Sequence, residues 1–289
     1  MKQTVGIAGL GLIGGSLARA IKAKTDFRVL GFDINSEVVS MAKEQGAIDG
    51  ELTDASTAEC SLIIIALYPD DVISYFERSL PHIRSGTIVV DCGGVKTRIC
   101  EALSRRAKER SIRFAGGHPM AGVERSGFAN SFAELFSGAT MILCEDASTD
   151  QAALTELHSF FLSVGFGNIK ITSAVEHDEI IAYTSQLAHI VSSSYIKSDT
   201  VKKRYGFSAG SFKDLTRVAR LNEDMWTKLF FENRENLLKE TDAFLDHVRE
   251  YRDALASRNY GAMRELLRNG TERKMADDAE EEKWLKQLR

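Results

Sequence analysis

Thr4-Val5-Gly6-Ile7-Ala8-Gly9-Leu10-Gly11-Leu12-Ile13-Gly14 is the stretch that decides the fold. Thr4–Ala8 suits a buried strand, Gly9 to Gly14 fits G-x-G-x-x-G, and Gly14–Lys24 continues with helical spacing. In such a turn the first glycine permits the tight bend, the second lets backbone approach a pyrophosphate, and the third lets helix pack on strand. The helix that follows offers its free N–H groups to the anion. The hexapeptide alone is a weak signal, but here Arg28–Phe32 reads as the next strand and Asp33 ends it. That places an acid about 20 residues beyond the loop, where a dinucleotide site holds the adenosine ribose. With Ile34, Asn35 and Ser36 following and no base beside it, Asp33 favours NAD over NADP. The expected cofactor contacts are therefore Gly9, Gly11, Leu12, Ile13, Gly14 and Asp33. The competing reading makes Asp33 a cap for the helix beginning at Ser36.

Outward from this loop, short apolar runs alternate with amphipathic segments. Leu62–Leu67 is continuously apolar, as a strand covered on both faces would be. Thr87–Asp91, Ile112–Ala115, Met141–Cys144 and Asn168–Ile171 are further strands, with a helix over 150–164. This rhythm predicts a Rossmann-type α/β domain with a parallel sheet over residues 1–172. Beyond it the strand signals stop, and residues 173–289 read as an all-α domain. Ile180, Leu187, Val191 and Tyr195 recur at helical spacing. Asn222 to Ser257 contains no Gly or Pro, and Phe230, Leu237, Phe244 and Tyr251 repeat along it. One continuous helix there, capped by Asn222, would be about 50 Å long at 1.5 Å per residue. A small domain cannot bury that length, so a homodimer is expected, against the alternative of a helix lying along its own first domain. Thr271–Arg289, dense in both charges, is read as a solvated helix or frayed tail.

The 289 residues are 44% hydrophobic and 27% charged, ordinary for a globular enzyme, with a net charge of −4. That balance gives no basic surface for nucleic acid. Cys60, Cys92, Cys100 and Cys144 form no C-x-x-C pair, so neither a metal nor a disulfide framework is expected. No segment reaches the roughly 18 apolar residues of a membrane span, and no targeting sequence precedes the first strand. A cytoplasmic location is the expectation.

Three further segments carry chemistry. Asp91-Cys92-Gly93-Gly94-Val95-Lys96-Thr97 follows a buried strand and would stand at the sheet edge where ligands bind, adding Gly94 and Lys96 to the cofactor set. Gly116-Gly117-His118-Pro119-Met120-Ala121-Gly122-Val123-Glu124 brackets a histidine with glycines after the next strand. A lone histidine is usually structural, but a histidine in such a loop is a candidate catalytic group. Ser185 and His189, four apart, share a helix face. Taken alone, helix-to-helix hydrogen bonding would explain that pair.

Together these segments resemble the prephenate/arogenate dehydrogenase family. The matching pieces are GLGLIGGSLA, DCGGVKT, GGHPMAGVERSG, EHD followed by TSQLAH, and FKDLTRVA followed by MW. The resemblance implies a Rossmann domain, a helical dimerisation domain, and NAD-dependent oxidative decarboxylation of prephenate, with arogenate as the alternative substrate. It implies that His118 draws the proton from the substrate's C4 hydroxyl and that Arg217 binds a carboxylate. It assigns Ser185 and His189 to holding the substrate and Glu124 to the mouth of the site. Asp214 and Trp226 fall on family positions too, with a surface ion pair and core packing as their plain alternatives. Lys213 and Arg220 compete with Arg217 for the carboxylate. Two departures matter. Gly94 stands where family members often carry a serine that supports the histidine, a task left to water or Thr97. Ala188 replaces a proline, which removes an expected helix kink. A β-hydroxyacid dehydrogenase would place a catalytic lysine where this chain has Ser185, Gln186 and His189. A non-catalytic NAD sensor would not need His118, Ser185, His189 and Arg217 together.

Overall fold

Apolar runs and the turns between them set an eight-stranded sheet. The computed structural model describes residues 3–123, 125–146 and 149–287. In chain order the strands are β1 (Thr4–Ala8), β2 (Arg28–Phe32), β3 (Gly50–Glu51), β4 (Leu62–Ile65), β5 (Ile88–Asp91), β6 (Arg113–Pro119), β7 (Thr140–Glu145) and β8 (Asn168–Ser173). Their spatial order is β3-β2-β1-β4-β5-β6-β7-β8. The helices over the sheet are α1 (Leu12–Lys24), α2 (Ser36–Glu44), α3 (Asp54–Thr57), α4 (Pro69–Ser79), α5 (Thr97–Glu109) and α6 (Gln151–Ser163). Side chains alternate across the strands, so the central strands feed two cores. Ile7, Ile64 and Val90 pack with Leu17 and Ile21 of α1 and Phe161 of α6. Ile63, Ile65 and Val89 face Val72 and Phe76 of α4 and Ile99 and Leu103 of α5. Each such fully buried side chain is worth about 1.5–3 kcal/mol over its exposed form.

The sheet departs from the expected all-parallel arrangement at one pairing. β6 and β7 run antiparallel, with His118 opposite Ile142, while β7 and β8 are again parallel. Parallel neighbours need a crossover, usually a helix. Among its described residues the link from Met120 to Ala139 instead makes only short 3-10 turns over α1, with Phe128 and Phe136 buried and the Ser16 hydroxyl accepting from the Phe132 N–H at 3.1 Å.

Beyond β8 the chain is helical: α7 (Ala174–Ile181), a π-helical stretch (Ala182–Leu187), α8 (Ala188–Tyr195), α9 (Gly210–Thr216) and α10 (Glu223–Glu232). Asn222 caps α10 as expected, its side chain accepting from Met225 N–H at 2.9 Å. The continuous helix expected from 222 to 257 is interrupted. Asn233 leaves helical geometry (φ −111°, ψ 28°), and its buried amide donates to Asp178 O at 2.7 Å and Gln186 Oε1 at 2.8 Å. The chain divides into two compact units, Met1–Asn233 and Arg234–Arg289. Residues 173–233 lie in the same compact unit as the sheet, and the strands end near the expected boundary. The second unit is a helical hairpin of α11 (Arg234–Ala256) and α12 (Tyr260–Gln287), turned at Arg258 with φ +51°. The segment read as a helix or tail is helical through Gln287. Among the described residues no helix is long and apolar enough to cross a membrane.

The glycine loop offers a direct test of this packing. A Cβ on Gly14 would lie 1.8 Å from the Gly9 carbonyl oxygen, whereas one on Gly11 would meet nothing within 4 Å. Gly14→Ala should therefore lower the free energy of unfolding by about 1–3 kcal/mol, the usual cost of overpacking. Gly11→Ala should stay within about 0.5 kcal/mol of the parent. Urea unfolding followed by circular dichroism reads both; equal stabilities for the two variants would refute the account.

Candidate active site

At the carboxyl end of β1, Gly9 turns the chain with φ +90°, and its N–H donates to Phe32 O at 2.7 Å. A Cβ there would strike Ala66 O at 2.4 Å, so only glycine fits. α1 begins directly after Gly11 with no side-chain cap and no acid in its first turn, which leaves its positive end open. The Asp33 carboxylate accepts from Leu10 N–H at 2.9 Å and Asn35 N–H at 3.0 Å. It is thereby aimed across the loop rather than along α2. The capping of α2 falls to Asn35, which accepts from Glu37 N–H at 2.9 Å.

At the end of β5, Asp91 is fully buried. Its carboxylate accepts from Gly93 N–H at 2.8 Å and Gly117 N–H at 3.1 Å, and it pairs with the Lys96 ammonium. Lys96 was expected at the cofactor. Its side chain is wholly buried on Asp91 and its backbone N–H donates to Asp178, so both groups are spent inside the protein. Burial alone would pull its proton off, but the Asp91 charge outweighs that and raises its pKa. Gly94 remains partly open beside Leu229, 3.3 Å from where a Cβ would stand.

Asp178, midway along α7, reaches the N-terminus of α5. Its Oδ1 accepts from Lys96 N–H and its Oδ2 from Thr97 N–H, each at 2.8 Å. Burial works against its charge, yet His177 and Thr97 outweigh it and hold the carboxyl below its usual range. His177 Nδ1 lies 2.7 Å from Asp178 Oδ1, and His177 Nε2 lies 2.8 Å from His118 Nδ1. The rings of His118 and His177 meet edge-on at 5.1 Å. Burial, then His177, then Lys96 push the His118 pKa well below the usual imidazole range; burial and Lys96 lower that of His177. Among the described residues His118 Nε2 has no hydrogen-bond partner. The support expected of Thr97 is absent, since its hydroxyl donates to Ala174 O at 3.3 Å. His177 takes that place. In the sequence His177 and Asp178 stand out only as part of the EHD motif, and its position at the first helix after the sheet is the available signal.

Further along the same helical stretch, Ser185 lies in the π-helical segment. That segment departs from α geometry directly before Ala188, so no proline is needed for the irregularity. His189 Nδ1–H donates to Ser185 O at 2.8 Å, which leaves Nε2 as an acceptor. The His189 ring lies on Trp226 with centroids 3.9 Å apart, and Trp226 is only half-buried. Burial, and after it the Arg217 charge, lower the His189 pKa. Arg217 follows α9 and is exposed, as are Lys213, Asp214 and Arg220. Only Arg217 among these basic residues acts on His189. The structure thus forms one group around His118, His177 and Asp178, and another around Ser185, His189, Trp226 and Arg217. Glu124 lies outside the described residues.

Comparison with known proteins identifies the family. The family described as "Prephenate dehydrogenase, nucleotide-binding domain" matches residues 17–169, and "Prephenate dehydrogenase, dimerization domain" matches residues 173–269. Prephenate dehydrogenase of Lactococcus lactis is 31% identical over 91% of this chain and 74% of its own length. The crystal structure of the Aquifex aeolicus prephenate dehydrogenase in complex with hydroxyphenyl propionate and NAD+ superposes with a TM-score of 0.82. It has 26% identity and the match covers 96% of this chain and 98% of that one. The Synechocystis arogenate dehydrogenase structure gives 0.80 at 25% identity, covering 94% and 100%. With both of its parts matched and a relative of this similarity, the chain belongs to the prephenate dehydrogenase family.

Proposed function

We propose that this chain catalyses the NAD-dependent oxidative decarboxylation of prephenate to 4-hydroxyphenylpyruvate, in the making of tyrosine. The observation that carries the reading is His118: it sits at a strand end with Nδ1 committed to His177 and with no partner for Nε2 among the described residues. The loop fits the dinucleotide. Space above Gly11 is open, the start of α1 is uncapped, and Asp33 is held by two N–H groups with lone pairs to spare for ribose hydroxyls. When bound, the nicotinamide supplies the two-electron acceptor.

The chain's own residues do the rest. His118, kept neutral at physiological pH, accepts the C4 hydroxyl proton at Nε2 as the carbonyl forms. The resulting dienone is conjugated to the carbon bearing the ring carboxylate, so loss of carbon dioxide restores aromaticity and makes the step one-way. Arg217 clamps a substrate carboxylate, a task suited to its planar fork. Ser185 and His189 hold the substrate, His189 through its accepting Nε2. Glu124 is assigned to the mouth of the site by the family resemblance. Gly94 belongs to the cofactor edge, whereas Lys96 supports it from within. Residues 173–289 form the dimerisation half of a homodimer. Phe244, Val248 and Leu255 of α11 are exposed apolar side chains suited to that contact. The likeness to the Synechocystis enzyme favours arogenate as the second reading of the substrate. Steady-state rates with prephenate and arogenate, each with NAD and NADP, test the whole proposal.

Three variants test its parts. Asp33 should exclude a 2′-phosphate, so kcat/KM should be higher with NAD than with NADP, and Asp33→Ser should narrow the gap. Faster turnover of the parent enzyme with NADP would defeat that assignment.

His118→Asn should lower kcat by roughly 10²–10⁴-fold, the worth of a positioned general base, with little change in NAD affinity. Because the His118 pKa lies below the usual histidine range, the parent kcat/KM should stay level as pH falls through that range and decline only below it. A variant with near-normal kcat would make His118 structural.

Arg217→Ala should raise KM for the substrate by an order of magnitude or more, since charged hydrogen bonds are worth about 1.5–3 kcal/mol each. Arg217→Lys should recover only part of this loss, keeping the charge without the fork. A KM within about twofold of the parent for the folded alanine variant would remove Arg217 from the site.

A further inference from the structure

We propose that His177 and Asp178 are positioning residues that lock His118 into the one tautomer able to act as a base. The proposal rests on the reading of His118 as the proton acceptor. A chain of donors and acceptors that begins in the backbone carries it. Asp178 accepts from Lys96 N–H at Oδ1 and Thr97 N–H at Oδ2, and neither amide can act as an acceptor. The carboxylate therefore stays ionised, and the ring nitrogen 2.7 Å from its Oδ1 must carry hydrogen. His177 is thus protonated on Nδ1. A second proton on this ring is disfavoured, because the residue is buried at 2% exposure and faces the Lys96 ammonium. His177 Nε2 is then a lone pair, and His118 Nδ1, 2.8 Å away, must donate to it. That leaves His118 Nε2 bare.

The reverse arrangement would set the lone pair of His177 Nδ1 against the Asp178 oxygen at 2.7 Å, two acceptors with no hydrogen between them. Gly94 offers no hydroxyl and Thr97 donates elsewhere, so the orientation of His118 depends on His177. The same chain acts during the proton transfer. As the substrate's O–H bond breaks, the proton moves to His118 Nε2 and the O–H electron pair becomes the second bond of the carbonyl, while the C4–H bond breaks and its pair leaves as hydride to the NAD+ of the proposed reaction. The imidazolium then donates from Nδ1 to His177, whose own Nδ1–H points to the Asp178 charge. The charged groups facing the two rings are Asp178 of α7, Asp91 of β5 and Lys96 before α5.

Nitrogen-15 spectra of the histidine-labelled parent enzyme test the tautomers, and a chain with six histidines keeps the spectrum assignable. Both His118 and His177 should carry hydrogen on Nδ1 and none on Nε2; His118 protonated on Nε2 would overturn the proposal. In kinetics, His177→Phe removes the acceptor and should lower kcat at least about tenfold, toward the loss expected of a mis-set tautomer, with KM for NAD within about twofold. His177→Gln, whose amide can donate to Asp178 while its oxygen accepts from His118, should recover most of that rate. A folded His177→Phe enzyme with parental kcat, or a glutamine variant no faster than the phenylalanine one, would also overturn it. If both variants fail to fold, the spectra of the parent still decide. Should His118→Asn retain its rate while the tautomers are as stated, the base assignment fails and the hydrogen-bond chain survives, so the two results separate.

Discussion

The carboxylate of Asp178 accepts from three donors at once: the Lys96 and Thr97 N–H groups that open α5, and His177. A buried carboxylate costs several kcal/mol unless hydrogen bonds replace its water, and two backbone N–H groups at a helix start are well suited to do so. This one acceptor fastens the helical stretch after β8 to the end of the sheet. The backbone carbonyl of the same residue takes the Asn233 amide, which also binds Gln186. Without Asp178, α7 would lose its two bonds from the N–H groups that open α5, and His177 would lose the partner that determines which nitrogen bears its proton.

A second buried carboxylate prepares the other side. Asp91 gathers Gly93, Lys96 and Gly117 around the end of β5. The glycines follow from the crowding, since a Cβ on Gly117 would lie 2.4 Å from Asp91 O. Breaking such a pair by removing one partner leaves an uncompensated charge, typically at 3–5 kcal/mol. Lys96 therefore works as an internal strut: its ammonium answers Asp91, its N–H answers Asp178, and its charge helps keep both neighbouring histidines unprotonated.

Local patterns were legible in the sequence and tertiary commitments were not. The glycine loop, Asp33 and the apolar run at Leu62–Leu67 could be read because each expresses a short-range rule of backbone space or burial. The two-residue β3 was too short to leave a pattern. The reversal at β7 depends on whether a link forms a crossover helix, and the segment from Met120 to Ala139 has mixed signals. The interruption at Asn233 comes from partners 47 and 55 positions away, which no helical period reveals. Lys96 looked like a ligand because it follows glycines at a sheet edge; only the fold shows Asp91 beneath it. His177 and Asp178 were visible as letters, but their meaning lies in the distances to Lys96, Thr97 and His118.

The π-helical stretch at Ala182–Leu187 separates the portion carrying His177 and Asp178 from the portion carrying His189. A π turn holds one residue more than the hydrogen-bond ladder of an α-helix needs, and each residue advances an α-helix by about 100°. The stretch therefore acts as a phase shifter between two sets of side chains on what is otherwise a single rod. Substitution within it changes local contacts, whereas loss of one residue would rotate the whole downstream face away from the upstream one. In this architecture the relative aim of the two histidine groups is encoded by chain length, so insertion and deletion are coarse controls over the site that no point change can reproduce.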